Sequence, residues 1–88
     1  MSITINGTTG IAGVDGSAAT PAGQGVDTNT GVFYGTDIVG ISTGGTERMR
    51  VTNTGVAVAA GTASVAPLNF TSGTSLTTAT AGAIEYDG

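Results

Sequence analysis

The chain of 88 residues contains no cysteine, histidine, lysine or tryptophan. Without cysteine there is neither a disulfide framework nor a thiolate metal cluster. Without histidine, the commonest zinc ligand and the usual neutral-pH base are both missing. Arg48 and Arg50 are the only basic side chains against six carboxylates, for a net charge of -4. A phosphate backbone would be repelled overall, which argues against nucleic acid as a partner. No apolar run approaches the roughly 18 residues of a membrane-spanning helix. Residues 1 to 20 hold no basic segment leading into an apolar core, so no export signal is read there.

What remains is small and polar. There are 16 glycines, 17 threonines and 12 alanines, but only four aromatic residues, Phe33, Tyr34, Phe70 and Tyr86. The nominal hydrophobic content of 39% is inflated by alanine and valine. Each ordered glycine carries a large loss of backbone freedom that contacts must offset. A chain this short has room for one small domain. With so little bulk, a self-sufficient monomeric core is not expected, and association of several copies is the usual remedy.

The pattern along the chain is all-β. Ile3 and Ile5 alternate with polar residues before an Asn6-Gly7 turn, which predicts a short first strand. From Asn6 to Gly25 the text is turn-rich, with Ile11 and Val14 as its only large apolar residues. Asp27-Thr28-Asn29-Thr30-Gly31 reads as a further turn, followed by the aromatic patch Val32-Phe33-Tyr34.

The densest signal lies at Val39-Gly40-Ile41-Ser42-Thr43-Gly44-Gly45-Thr46-Glu47-Arg48-Met49-Arg50-Val51, two strands around a glycine pair. A three-residue loop, Thr43-Gly44-Gly45, sets Val39 and Ile41 beside Met49 and Val51 and sends Arg48 and Arg50 to the opposite face. A two-residue loop would set the aliphatic residues against the arginines, because a one-residue slip reverses every side chain. The three-residue loop is therefore expected. A four-residue loop, Thr52-Asn53-Thr54-Gly55, then brings Val56 and Val58 onto the same face. The outcome is a three-stranded meander from about Ile38 to Val58 with one apolar surface. Such a narrow sheet is marginal alone, so Val39, Ile41, Met49, Val51, Val56 and Val58 are the expected subunit interface.

Beyond residue 58, residues 59–66 are alanine-rich and weakly specified. Leu68 and Phe70 alternate, and Ala83-Ile84-Glu85-Tyr86 reads as a strand followed by Asp87-Gly88, a favoured hairpin turn. A hairpin signal with no second strand suggests a natural chain that continues past residue 88.

The order of these blocks resembles tail-fibre and related appendage proteins of tailed bacteriophages, especially marine ones. The similar residues are Asp27-Thr28-Asn29-Thr30-Gly31-Val32-Phe33, then Ser42-Thr43-Gly44-Gly45-Thr46-Glu47-Arg48-Met49-Arg50-Val51. Ala66-Pro67-Leu68-Asn69-Phe70-Thr71-Ser72-Gly73-Thr74 and Gly82-Ala83-Ile84-Glu85-Tyr86-Asp87-Gly88 are similar to another module of such fibres. These blocks cover about two-thirds of the chain. The stretch Val56-Ala57-Val58-Ala59-Ala60-Gly61 departs from the glycine-alternating form expected there.

The resemblance implies an intertwined homotrimeric, β-rich fibre located in the virion. Residues 1–25 would be an extended attachment arm docking on a tail, baseplate or head component, and residues 26–88 the start of the shaft. A fibre composition without an export signal fits a particle released by lysis.

Other chemistry is weighed against plainer readings. Asp27-x-Asn29-x-Gly31 superficially matches a calcium loop, but six to eight oxygens are required and no further acid occurs before Asp37; turn vocabulary is preferred. Glu85 and Asp87 alternate onto one face as a glycosidase pair would, yet a solvated strand end accounts for them. Threonine hydroxyls have no histidine or lysine base beside them. No enzymatic activity and no cofactor are expected. The Thr-x-Thr triplets at 28–30, 52–54 and 78–80 lack the fixed period of an ice-binding array. Arg48 and Arg50 either meet Asp37, Glu47 or a neighbour's carboxylate at a subunit boundary, or are solvated. A second functional reading is a receptor- or carbohydrate-binding module contacting the host through Phe33, Tyr34 and Tyr86.

Overall fold

A computed structural model describes residues 3–78, 80–84 and 86. Among these there is no helix. The chain forms a two-stranded hairpin, β1 (Thr4–Asn6) and β2 (Gly10–Ala12), and a five-stranded antiparallel sheet. The sheet is a meander of β3 (Gly23–Gln24), β4 (Gly31–Gly35), β5 (Ile38–Thr43), β6 (Thr46–Thr52) and β7 (Gly55–Val58), each strand beside its neighbour in sequence. The expected three-stranded meander is present and extends two strands toward the N-terminus.

Turn chemistry accounts for the connections. In the first hairpin Asn6 Oδ1 accepts the backbone N–H groups of Thr8 and Thr9 at 2.8 and 2.7 Å. That Asx turn reverses the chain so that Ile5 pairs with Ile11. Between β4 and β5 the loop is Thr36-Asp37, with Asp37 at φ 58°. Aspartate is among the few residues that tolerate this left-handed region.

The central hairpin corrects the expected loop. Thr43 pairs with Thr46, so the turn is the two residues Gly44 and Gly45, at φ 59° and 80°. Positive φ at both positions is what a hairpin turn matched to the strand twist requires, and glycine supplies it without strain. The aliphatic residues nevertheless share the expected face, with Val39 now opposite Val51 and Ile41 opposite Met49. A β-bulge reconciles the two facts. The register shifts between Ile41 and Ser42, inserting Arg48 as the extra residue on β6, which returns Met49 and Val51 to the aliphatic side. The next turn is also tighter than expected, with Thr52 paired to Gly55, but it still sets Val56 opposite Val51 and Val58 opposite Met49.

Within the sheet, burial is confined to the other face. Phe33, at 7% exposure, is the only buried large apolar side chain among the described residues. It stands opposite Gly40, and its ring lies where a side chain at Gly40 would be; a Cβ there would sit 2.2 Å from Phe33 Cζ. Ser42, two residues along on the same face, is fully buried, and its hydroxyl has no hydrogen-bond partner among the described residues. Pro21, also buried, closes a bridge with Gly16.

After Val58 no strand occurs among the described residues. Leu68 and Phe70 are exposed and unpaired into any sheet, and Ala83, Ile84 and Tyr86 form no strand, contrary to expectation. Glu85, Asp87 and Gly88, which complete the expected strand and turn, lie outside the described residues.

The whole is open for its size. The radius of gyration is 17.0 Å, against about 12 Å for a compact domain of this length. The accessible surface is 6668 Å², where a compact monomer of this mass would expose about 4,600 Å².

Two substitutions test this core. Gly40→Ala drives a methyl group into the Phe33 ring and is expected to cost about 1–3 kcal/mol in denaturant unfolding. Ser42→Ala removes a buried hydroxyl without a partner and is expected to leave stability unchanged or raise it by about 1 kcal/mol.

Candidate functional site: the exposed apolar face

The period-2 geometry of a strand puts alternate residues on one face, and directly paired residues share that face. Starting from Ile41, the register collects Val39 on β5, Met49 and Val51 on β6, and Val56 and Val58 on β7. It also adds Val32, opposite Ile41, and Tyr34, opposite Val39, from β4. All six residues expected at an interface therefore lie on one surface. None of them is buried: Ile41 is the least exposed of the valines and isoleucine at 38%, and Val56 the most at 65%. A contiguous aliphatic sheet face left open is the usual mark of an interaction surface.

The same face continues toward the N-terminal hairpin. Ile3, Ile11, Gly13, Val14, Ala22, Gly23 and Tyr34 line an open groove of about 410 Å³. Ile5 and Ile11 form a cross-strand pair that is itself 70% and 74% exposed. The segment expected as an attachment arm thus carries its own apolar hairpin, while its last residues, Gly23 and Gln24, pair with Val32 and Gly31 of the main sheet.

The arginines are separated, not side by side. Arg50 stands opposite Gly40, on the Phe33 face. Its guanidinium donates to both carboxylate oxygens of Glu47, the shortest contact being 2.6 Å from Nη2 to Oε1. Hydrogen bonding to Glu47, and then its charge, hold the Arg50 pKa above the ordinary arginine value. Arg48, displaced by the bulge, instead donates from Nε to Thr43 Oγ1 at 2.8 Å. Thr43 follows Ile41 by two residues, so this contact belongs to the rim of the aliphatic face. A three-residue loop would have kept the arginines together; the bulge is the signal that sequence alone did not supply.

The Asp27 loop is built as a brace. Asp27 Oδ2 accepts from Thr30 Oγ1 at 2.8 Å, and Oδ1 accepts from the Asn29 N–H at 3.4 Å. Thr30 Oγ1 in turn accepts the N–H of Gly44 at 3.1 Å, and the Asn29 carbonyl accepts the N–H of Gly45 at 2.8 Å. The loop therefore holds the tip of the glycine hairpin. Among the described residues no group of three acidic side chains is placed to share a cation.

Of the aromatic residues expected to touch a host receptor, Phe33 is buried, whereas Tyr34 and Tyr86 are about half exposed.

The two arginines are expected to behave differently. Arg50→Gln removes the only ion pair among the described residues, so melting temperature should respond less to added salt. Arg48→Gln, which breaks only contacts to the uncharged hydroxyl and carbonyl of Thr43, should leave the salt response as in the parent chain. Melting curves at low and high ionic strength decide this, and equal responses in both variants would refute the assignment.

Comparison with known protein families, characterised proteins and solved structures finds no match for this chain.

Proposed function

We propose that the chain is a structural virion protein, the virion-proximal part of a homotrimeric bacteriophage tail fibre that anchors the host-recognition appendage. The observation carrying this reading is the open face of Val39, Ile41, Met49, Val51, Val56 and Val58 on a chain whose only large buried apolar side chain, among the described residues, is Phe33. Three copies pool that face into a shared core.

The area supports more than one neighbour. The chain exposes about 2,000 Å² beyond the expectation for a compact monomer. An ordinary interface removes about 800 Å² per partner, so contacts on two flanks, as in a threefold assembly, absorb most of the excess. The phage assignment is supported by the resemblance of the Asp27–Phe33 and Ser42–Val51 blocks. Residues 1–25 dock on a tail, baseplate or head component, with Ile5 and Ile11 the apolar pair they offer. The trimer multiplies the distal receptor-binding tips, which raises avidity without new contacts.

A module contacting the host directly is the competing reading. It loses Phe33 as a contact, and a glycan array probed with this chain tests it.

The assembly is tested by light scattering on the purified chain. Three times 8.4 kDa is expected. Val51→Glu, which puts three carboxylates into the shared face, should yield a monomer that keeps its β spectrum. A parent chain that stays monomeric at micromolar concentration and melts cooperatively would overturn the trimer. Mass spectrometry of purified virions should detect the chain in the particle; its absence would remove the virion assignment.

A further inference from the structure

The sheet has two edges, and they differ. On the β4 side, β3 covers Gly31 and Val32, and the Asp15 carbonyl takes the N–H of Tyr34 at 2.8 Å. On the β7 side, among the described residues, no strand pairs with the outer edge.

Which main-chain groups this leaves open follows from the register. Ala59 donates its N–H to the Arg48 carbonyl at 3.0 Å. Inward and outward groups alternate along an antiparallel strand, so Ala57 and Gly55 also face β6. The N–H and C=O groups of Val56 and Val58 point outward. Natural sheets blunt such edges with lysine, proline, inward charge or a bulge. Residues Gly55 to Gly61 contain none of those side chains, and β7 pairs with β6 in unbroken register. An edge left in this state is built to be paired.

The chain also carries a matching strand. Residues 59–84 contain no charged side chain, so nothing electrostatic keeps them from a neutral edge. Within them Leu68-Asn69-Phe70-Thr71 alternates apolar and polar residues with the period of a strand, yet pairs with no strand among the described residues. Leu68 is 59% exposed and Phe70 45%. Val56 and Val58 provide both the outward main-chain groups and the margin of the aliphatic face. A strand added there would extend that face with Leu68 and Phe70.

We infer that β7 is a strand-addition site that receives the Leu68–Thr71 segment of a second copy of this chain. The inference rests on the proposed trimer and adds how its subunits are joined: main-chain pairing at β7 beside side-chain packing on the sheet face. An adjoining copy can accept the next tail in the same way, and a threefold rotation between copies closes the arrangement into a ring.

Amide hydrogen exchange on the assembled chain tests it. Val56 and Val58 N–H groups are expected to exchange at least about a hundredfold more slowly in the assembly than in the Val51→Glu monomer, with Ala57 protected in both. Val58→Pro removes an N–H that the chain's own sheet does not use and should weaken association at least about tenfold. In a sample mixing isotope-labelled and unlabelled copies, nuclear Overhauser contacts between Val56 or Val58 and Leu68 or Phe70 should cross between copies. Free exchange at Val56 and Val58 in an assembly of threefold mass would overturn strand addition while leaving the trimer intact. Contacts found only within one copy would overturn the second-copy assignment. A chain that never assembles removes the trimer and this inference together.

Discussion

Phe33 lies across Gly40, and that single contact organises the chain. A glycine in the middle strand leaves a gap in the pleated surface, and the neighbouring aromatic ring fills it from the strand alongside. The ring can do so only from one face. Gly40, Ser42 and Arg50 are thereby assigned to the Phe33 side, and every residue of opposite parity, from Val32 through Val58, is turned the other way. The greasier surface is the one left uncovered. In most small domains the reverse holds, because burying aliphatic area is the main stabilising term.

The two sequence blocks that support the resemblance are brought into contact by this arrangement. Asp27 holds Thr30, and Thr30 and Asn29 hold the backbone of Gly44 and Gly45. Gly31 pairs with Ser42 and Phe33 with Gly40. Glu47, opposite Ser42, reaches Arg50 across the bulge. The blocks form one supersecondary unit: a brace, an aromatic plug and a pinned hairpin tip. Their order in the chain is a consequence of which strands must be neighbours. The unit fixes geometry while burying little.

Under the proposed fibre reading, the open face, the bare β7 edge and the uncharged tail are three aspects of one design. A surface area well above that of a compact monomer, a glycine- and threonine-rich composition and a sheet without a second layer are all unfavourable for an isolated chain. Each becomes favourable when identical copies supply the missing layer. Interface residues then need no diversity of chemistry. Alternation and neutrality are enough to bring equivalent strands together.

Alternation in the sequence was sufficient to identify the all-β class, the central hairpin and the membership of the aliphatic face. Side chains two apart share a face whatever the loops do, and burial of Val39 and Ile41 against arginine would be costly under any register. Loop lengths were not legible. A two-residue turn and a bulge put the same side chains on the same face as the longer loop expected at Thr43-Gly44-Gly45, with the partners moved along by two residues, because a shift of two keeps every side chain on its side of the sheet. That exchange alone separated Arg48 from Arg50. The strands at Gly10–Ala12 and Gly23–Gln24 were equally hidden, since residues so poor in bulk acquire strand geometry from the partner they pair with and not from their own preference. The fate of Phe33 was decided the same way: an aromatic residue in an apolar patch reads as a contact for a ligand until the strand beside it presents a glycine. Local chemistry set the period and the faces; only long-range pairing determined which face was filled from within the chain and which was left exposed.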